Sequence, residues 1–320
     1  MVNLAIVGLG AWGRKLVTAT RDSQKARFTH AVVRRADAAQ EFAGAHGLAV
    51  TEDYAAVLAD PTVDGVVSCG PAHLHAEHSL HALRAGKPVL AIKPMALAGA
   101  QARALRDEAQ ARGLALALAY NRRFTSNVQA LLAEVKAGAI GDVLHTEGDF
   151  CVHRYHKIRE GGWKGDPQSS PPGGLADHVL YLTIETLGQI ADVHAVARAN
   201  VSDNRLADST AVLARSHGGA TAFLTGIGVT ADDFRFQVYG SRGWAEARGA
   251  TRFRLETIDG RKVDETLPKA EAERLEVEAF ADALAGRAPF PVSMDDAVHG
   301  VEILEAIAAS ANERRIVAVG

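Results

Sequence analysis

Three glycines near the start of the chain have the spacing of a phosphate-binding turn. Gly8, Gly10 and Gly13 follow the apolar run Val2–Val7, which predicts a buried parallel strand, and residues 15–20 continue at helical period. Gly8 would permit the tight turn, Gly10 would let a pyrophosphate approach the backbone, and Gly13 would let the helix pack closely on the strand. The helix N-terminus offers unpaired N–H groups and a positive dipole end, which suit phosphate. The pattern predicts a dinucleotide site that contains Gly8, Gly10, Ala11, Trp12 and Gly13.

Two arginines after the next strand pattern indicate which dinucleotide binds. The apolar stretch Phe28–Val33 predicts the second strand, and Arg34 and Arg35 follow it directly. An NAD-type site commonly has Asp or Glu at this point, where the carboxylate binds the adenosine ribose hydroxyls. A guanidinium binds phosphate through paired hydrogen bonds and would suit a 2′-phosphate, whereas Asp37 comes later in the following turn. We therefore predict NADP(H) as the preferred cofactor, with NAD(H) as the alternative.

Composition and charge exclude several classes of function. The chain has 320 residues, 48% of them hydrophobic, and a net charge of −3, so it offers no broad basic surface for nucleic acid. No apolar run reaches membrane-spanning length and no signal peptide precedes the first strand pattern, which predicts a cytoplasmic protein. Cys69 and Cys151 lie in apolar stretches and are expected to be buried thiols. The histidines at residues 73–81 are expected to lie on a helix rather than to bind a metal.

The order of the patterns predicts the domain that carries these residues. Short apolar strands alternate with helical patterns up to residue 120, which is typical of a doubly wound parallel sheet. Ligands of such sheets bind outside the carboxyl ends of the strands. The strand patterns that end at Val7, Cys69 and Ile92 are followed by the distinctive loops GLGAWG, GPAHLH and KPMAL. We therefore predict a nucleotide-binding Rossmann domain over residues 1–121, with its chemistry at these loops.

A second domain is predicted over residues 122–320. Several short strand patterns lie between residues 142 and 258, which is typical of an α+β domain with a large open, mostly antiparallel sheet. A polar loop without periodicity covers residues 153–172, and loops of that length are commonly functional. A last helix, at residues 295–310, could pack back on the first domain.

These patterns together resemble the Gfo/Idh/MocA oxidoreductases, the glucose–fructose oxidoreductase and inositol dehydrogenase-like family. The resemblance runs nearly end to end and is carried by the glycine motif and by VDGVVSCGPAHLHAEHSLHALRAGKPVLAIKPMAL, YNRRF, AGAIGDVLHTEGDF, WKGDPQSSPPGGLADHVLYL and DDAVHGVEILEAI. It implies hydride transfer between nicotinamide and a hydroxyl or carbonyl carbon of a sugar, polyol or related cyclic hydroxy compound. The alternative is a non-catalytic protein of the same fold that senses a dinucleotide or a sugar.

Lys93 is the strongest catalytic candidate that the resemblance implies. It matches the lysine of the family's E-K-P motif, where an ammonium can polarise the substrate oxygen and stabilise developing alkoxide charge. Pro94 would fix the turn that aims the lysine. The family glutamate is Ile92 in this chain. Whatever that carboxylate contributes to cofactor contacts or to lysine orientation is therefore missing or supplied elsewhere.

A second catalytic cluster is implied within GGLADHVLYL. The family commonly has D-x-x-x-H on a helix, which places both side chains on one face. Asp177 and Tyr181 fit this spacing with tyrosine in place of histidine; alternatively, His178 is the acid/base and Gly174 holds the aspartate position. His178 would exchange a proton near neutral pH more readily than an unperturbed tyrosine. Tyr181 would face the site under either alignment, and both assignments stay open at this point.

Further site residues follow from matching the family's loops. The resemblance implies cofactor contacts by Pro71, His73, His75, Lys93, Pro94, Asn121 and Trp163. It implies substrate contacts by Lys93, Arg122, His153, Tyr155, Asp177, His178 and Tyr181. Relatives are commonly oligomers, and the strand patterns at 220–227 and 234–239 carry apolar residues on both faces. We therefore expect a homodimer or homotetramer formed through the sheet of the second domain.

Overall fold

The computed structural model describes residues 1–158, 165, 172–201 and 206–320. Its backbone contacts divide the chain into two compact units. The first contains residues 1–121 and 271–298, and the second contains residues 122–270 and 299–320. None of the helices in the described part of the chain is long and apolar enough to cross a membrane.

A parallel sheet forms the centre of the first unit. Its strands are β1 (Val2–Val7), β2 (Ala26–Val32), β3 (Ala49–Thr51), β4 (Gly65–Ser68), β5 (Val89–Ile92) and β6 (Leu116–Ala119), in the order β3-β2-β1-β4-β5-β6. The connecting helices are α1 (Ala11–Ala19), α2 (Gln40–His46), α3 (Tyr54–Ala59), α4 (His75–Arg84) and α5 (Gly99–Arg112). The strand order reverses between β1 and β4, which places a ligand crevice at the carboxyl ends of these strands. The predicted Rossmann fold is confirmed.

The central strands of this sheet are apolar along their length. Leu4, Ala5 and Ile6 of β1 and Val66 and Val67 of β4 are fully buried, as expected for parallel strands that are covered on both faces. The sequence analysis did not predict β3, α2 or α3. Strand β3 spans only A-V-T, which is too short for a periodic pattern to stand out.

The elements after residue 121 form mainly the second unit. They are α6 (Ser126–Lys136), β7 (Val143–His153), α7 (Asp177–Leu187), β8 (Ile190–Arg198), β9 (Ser209–Ser216), β10 (Thr221–Ile227), β11 (Val229–Gly240), β12 (Gly243–Arg248), β13 (Arg252–Thr257), β14 (Lys262–Thr266), α8 (Ala272–Leu284), α9 (Met294–Glu313) and β15 (Val317–Ala318). Within the described residues the strands form one sheet in the order β14-β13-β12-β11-β7-β10-β9-β8-β15. The prediction of a mostly antiparallel sheet is confirmed; the exception is the parallel pair β7 and β10.

Two glycines let α7 lie directly on this sheet. A Cβ on Gly148 of β7 would come 2.7 Å from the Cβ of Val179, and a Cβ on Gly226 of β10 would come 2.8 Å from the Cβ of Leu175. The residues are on neighbouring strands, where Gly226 pairs with Phe150 of β7. Larger side chains at either position would lift the start of α7, so these glycines set the depth at which the helix presents its first turn.

The segment 271–298 groups with the first unit, although the sequence analysis placed it in the second domain. The reason is the apolar face of α8. Val277, Phe280 and Ala281 belong to the same buried cluster as Leu4 and Ile6 of β1. Cys69 is also buried in this cluster, and burial raises the pKa of its thiol to about 12. Cys151, on β7, is only half-buried, in contrast to the expectation.

Candidate active site

The three glycines of the motif have different environments, and two are required by backbone packing. Gly8 has φ +103°, and a Cβ there would lie 2.7 Å from the carbonyl oxygen of Cys69. A Cβ on Gly13 would collide with the carbonyl oxygen of Gly8. Gly10 has φ −68°, and a Cβ there would meet nothing within 4 Å. Gly10 therefore leaves open space beside the backbone, which a pyrophosphate needs in order to approach.

Helix α1 begins at this opening. Gly10 is its N-cap residue, no described side chain caps the helix, and its first turn contains no acidic residue. The backbone N–H groups and the positive dipole end are therefore oriented to receive an anion. Ala11 is exposed, and Trp12 is half-buried with the Lys15 ammonium 4.7 Å from its ring centre. These residues fit the pyrophosphate of a dinucleotide.

Exposed cationic groups lie beyond the carboxyl end of β2. Arg34 and Arg35 are both exposed, and Asp37, also exposed, starts a short 3₁₀ turn. The carboxylate of Glu52 accepts a 2.8 Å hydrogen bond from the backbone N–H of Ala36, so that acid holds the loop in place. The guanidinium groups of Arg34 and Arg35 and the carboxylate of Asp37 are therefore available in this loop to bind a substituent of the adenosine ribose.

Lys93 and Pro94 lie just after the carboxyl end of β5. Both are half-buried, and the peptide bond between them is cis. The loop is anchored by Met95 and Ala96, which are fully buried. Ile92, which replaces the family glutamate, packs against the apolar cluster of the first unit. Residue 92 therefore offers no carboxylate to orient the lysine, and apolar packing of Ile92, Met95 and Ala96 holds the loop that carries it.

His75 occupies a different position from the one expected of a cofactor ligand. Its side chain is buried at the start of α4, with a relative exposure of 2%. Its Nδ1 lies 2.7 Å from the carbonyl oxygen of Pro94, and its Nε2 lies 2.8 Å from the carbonyl oxygen of Gly70. Both ring nitrogens therefore face the protein's own backbone. This arrangement does not provide the predicted contact between the His75 ring nitrogens and the cofactor.

The remaining residues predicted to bind cofactor have varied surroundings. Pro71 is half-buried and His73 is exposed, while Trp163 lies outside the described residues. The side-chain amide of Asn121 donates a 2.9 Å hydrogen bond to Glu273, which also forms an ion pair of 2.6 Å with Lys15 of α1. Asn121 is thus held by α8, whose Glu273 is in turn paired with α1. Sequence reasoning missed Glu273, since no motif marks it.

Helix α7 carries the second predicted cluster. Asp177 is fully buried, whereas His178 is half-buried and stacks on Phe150 with ring centres 3.7 Å apart. The Arg122 guanidinium lies 5.3 Å from the centre of the same Phe150 ring and 4.6 Å from that of Phe234. Arg122 and His178 are therefore both neighbours of the Phe150 ring. Phe150 was not predicted as part of the site, because an aromatic residue in a strand pattern normally indicates core.

Tyr181 does not face outward with His178, in contrast to the expectation. It is 3% exposed, and its hydroxyl oxygen is buried. A Cβ on Gly300 of α9 would collide with its ring, so the tyrosine packs directly against that helix. Side chains three residues apart differ by about 60° around a helix, and this rotation separates a partly exposed histidine from an interior tyrosine. Of the two, His178 has the more accessible ring.

Two further substrate candidates, His153 and Tyr155, lie at the end of β7 and directly after it. Tyr155 packs against Gly228, where a Cβ would collide with the tyrosine ring, and its backbone N–H donates to the Gly228 carbonyl oxygen. Burial, together with the nearby Asp208 carboxylate, raises the pKa of Tyr155 to about 12. Its hydroxyl therefore stays protonated near neutral pH and can donate a hydrogen bond. His153 is exposed, and its ring centre lies 4.7 Å from that of His156.

Two family models match overlapping stretches of the chain. The model of the GFO/IDH/MocA oxidoreductase family with its NAD-binding Rossmann fold matches residues 2–136, and the GFO/IDH/MocA C-terminal domain matches residues 128–246. Together with the parallel sheet and the open glycine turn, these matches define a nicotinamide-dinucleotide-binding oxidoreductase. The chain belongs to the GFO/IDH/MocA oxidoreductase family.

Similar proteins include dehydrogenases whose names specify sugars or polyols. The scyllo-inositol 2-dehydrogenase (NADP(+)) IolW of Bacillus subtilis is 24% identical over 298 residues, which are 84% of this chain and 82% of that protein. The levoglucosan dehydrogenase of Pseudarthrobacter phenanthrenivorans is 28% identical over 159 residues, only 46% of this chain and 38% of that protein. A solved levoglucosan dehydrogenase in complex with NADH and L-sorbose has a TM-score of 0.90 and 21% identity, with 100% and 99% of the two chains covered, and shares the fold.

Proposed function

We propose that this protein is an NADP(H)-dependent oxidoreductase that transfers a hydride between nicotinamide and a hydroxyl or carbonyl carbon of a sugar, an inositol-like polyol or a related cyclic hydroxy compound. The observation that carries the proposal is the position of Lys93 at the carboxyl end of β5, on the same edge of the parallel sheet as the open turn at Gly10. The names of the relatives support the substrate class.

The protein's own residues have distinct proposed roles. The bound nicotinamide would supply the hydride acceptor or donor. The Lys93 ammonium would stabilise negative charge on the substrate oxygen, because a fixed cation acts most strongly where charge develops. His178 would exchange the proton, since an imidazole titrates close to neutral pH. Tyr155 and Arg122 would donate hydrogen bonds to substrate oxygens, which suits a polyhydroxylated ligand.

The preference for NADP(H) depends on the two arginines after β2. A 2′-phosphate would form charge-assisted hydrogen bonds with Arg34 or Arg35, both of which are exposed. The names of the similar proteins include both cofactors, NADP(+) for the inositol dehydrogenase and NADH for the solved levoglucosan dehydrogenase. The arginines are therefore what supports NADP(H) for this chain.

A fluorescence titration with NADPH and NADH tests the cofactor, with Arg34→Ala compared to Arg21→Ala beyond the far end of α1. We expect Arg34→Ala to weaken NADPH binding about tenfold or more, by the loss of a charged hydrogen bond worth about 1.5–3 kcal/mol, and to leave NADH binding nearly unchanged. Equal affinity of the wild type for both cofactors would refute the arginine argument and favour Asp37.

The substrate class is tested by turnover with scyllo-inositol, myo-inositol, levoglucosan and glucosides, each with NADP⁺ and NAD⁺. Oxidation of at least one of them, followed by the absorbance of the reduced nicotinamide, would support the proposal. Cofactor binding without turnover of any sugar or polyol would instead favour the non-catalytic sensor of the same fold.

We also propose a cytoplasmic homodimer or homotetramer that assembles through the sheet of the second unit. Phe223 of β10 pairs with Leu213 of β9, and their side chains are 52% and 42% exposed. Val196 of β8 is 52% exposed and pairs with Ala211, two residues before Leu213 on the same strand face. Three large apolar side chains on one open face support burial against a second copy.

A further inference from the structure

We propose that His75 is a positioning residue, which fixes the loop of Lys93 relative to the loop that follows β4 by bridging two backbone carbonyl oxygens. The proposal rests on the proposed function for its effect on turnover, but its structural part can be tested without any substrate. The arrangement lies entirely within the first unit.

The bridge is short on both sides of the ring. The carbonyl oxygens of Pro94 and Gly70 lie 2.7 and 2.8 Å from the two ring nitrogens of His75. Pro94 follows Lys93 directly, whereas Gly70 belongs to the loop after β4. A buried ring between two loops, with one nitrogen directed at each, restricts how far the loops can separate. A hydrogen bond from the ring to one of these carbonyl oxygens contributes about 1 kcal/mol in net terms, and the close contacts on both sides of the buried ring restrict the loops to one geometry.

The same loop after β4 also touches the glycine turn. A Cβ on Gly8 would lie 2.9 Å from the Cα of Gly70, so the two backbones are already in close contact. A Cβ on Gly70 would also lie 3.4 Å from the ring of His78, so that ring packs against the same loop. The glycine turn, the Gly70 loop and the Lys93 loop therefore form a continuous series of contacts. In this series His75 makes the link to Lys93.

The chemistry of the ring explains why histidine suits this position. Its two nitrogens point in divergent directions, so one compact, rigid side chain can reach carbonyl oxygens on opposite sides. A neutral ring donates to one carbonyl oxygen, and a protonated ring donates to both. Burial lowers the pKa of His75, and the two carbonyl oxygens act in the opposite direction. Glutamine carries its donors on a single nitrogen, so it can preserve one of the two contacts.

The test compares His75→Leu, His75→Gln and the control His81→Leu, an exposed histidine of the same helix. Hydrogen–deuterium exchange is measured first, on the protein without ligand. We expect the peptide over residues 90–97 to exchange at least about tenfold faster in His75→Leu, by the loss of about 1.4 kcal/mol of local protection. His75→Gln should be intermediate, and β1 should be unchanged.

Turnover and cofactor affinity provide the second measurement. A misplaced Lys93 should lower kcat about 10- to 100-fold, with partial rescue in His75→Gln. Any rise in the Kd for NADPH should be smaller than this fall in kcat. Exchange and kcat equal to those of His81→Leu would overturn the proposal, as would a loss of NADPH affinity with kcat unchanged, which indicates direct cofactor binding. If His75→Leu does not fold, the comparison of His75→Gln with His81→Leu decides whether the proposal holds. If the wild type turns over no substrate, the proposed function fails while the exchange data still decide the role of His75.

Discussion

Replacing single motif glycines by alanine can distinguish an effect on protein stability from an effect on cofactor binding. Gly8→Ala and Gly10→Ala make the same chemical change two residues apart. Alanine at residue 8 would have to adopt φ near +103° and would approach the backbone at Cys69 to 2.7 Å. Alanine at residue 10 keeps φ near −68°, an ordinary value, and meets nothing within 4 Å.

The expected magnitudes follow from these geometries. A non-glycine residue in a sparsely populated positive-φ region costs about 1–3 kcal/mol, and contact with backbone atoms adds to this, so Gly8→Ala should lower the free energy of unfolding by about 2–4 kcal/mol. At Gly10 the preference for Gly over Ala as N-cap, about 0.5–1 kcal/mol, is offset by the reduced entropy of the unfolded chain, about 0.4–1 kcal/mol. Its net change should stay within about 0.5 kcal/mol.

Gly10→Ala should weaken cofactor binding although it leaves the stability of the protein nearly unchanged. The added methyl group occupies the space that the pyrophosphate needs, and the loss of one charged hydrogen bond, about 1.5–3 kcal/mol, corresponds to at least about a tenfold higher Kd. Thermal unfolding without cofactor and fluorescence titration with NADPH measure the two effects. We expect Tm to fall by at least about 4 °C for Gly8→Ala and by less than about 2 °C for Gly10→Ala. If Gly10→Ala is destabilised as much as Gly8→Ala, or binds NADPH like the wild type, the assignment of Gly10 to the pyrophosphate site is refuted.

Three further predictions concern residues that lie away from the glycine turn. Burial and the nearby Glu273 raise the pKa of Glu276 well above its usual range. Above the ordinary glutamate pKa, the folded protein therefore keeps a proton that the unfolded chain releases. As the pH rises through this range, the free energy of unfolding should fall by up to about 1.4 kcal/mol per pH unit. In pH-dependent urea unfolding, Glu276→Gln should lose this slope while Glu278→Gln keeps it, and equal slopes would contradict the assignment. Tyr181→Phe should change kcat less than about threefold, because the hydroxyl of Tyr181 is buried. His178→Asn should lower kcat at least about 100-fold. The reverse result in steady-state kinetics would make Tyr181 the acid/base. Phe223→Lys should shift the sedimenting species toward monomer, and a wild type that is itself monomeric would remove the proposed interface.

The first unit could be predicted from sequence because its signals are local. The glycine spacing and the apolar runs at β1, β4 and β5 each depend on a few neighbouring residues, and parallel strands buried on both faces are apolar throughout. In the second sheet, alternation predicted strands but not their partners. The parallel pairing of β7 with β10 depends on residues far apart in the chain, such as Glu147 and Phe223.

The position of a candidate site residue could be predicted where a sequence motif determines the backbone around it. The direction of its side chain could not be predicted where that direction depends on distant residues. Lys93 was placed correctly at the end of β5 because the strand pattern ends there. The direction of the Tyr181 side chain depends on Gly300, more than a hundred residues away, and that of His75 on the carbonyl oxygens of two different loops. Helical spacing alone cannot distinguish a side chain that faces a cleft from one that faces a neighbouring helix.

The most direct measurement of the central claim is single-turnover hydride transfer by Lys93→Met beside the wild type, with Lys269→Met as an exposed control. Each protein is preloaded with NADP⁺ and mixed with the sugar or polyol that the wild type oxidises, and the absorbance of the reduced nicotinamide is followed. Loss of one charge-stabilising group commonly costs about 10²–10³-fold in rate. We predict a loss of that size for Lys93→Met at saturating NADP⁺, and the wild-type rate for Lys269→Met. Hydride transfer at the wild-type rate in Lys93→Met would contradict the account.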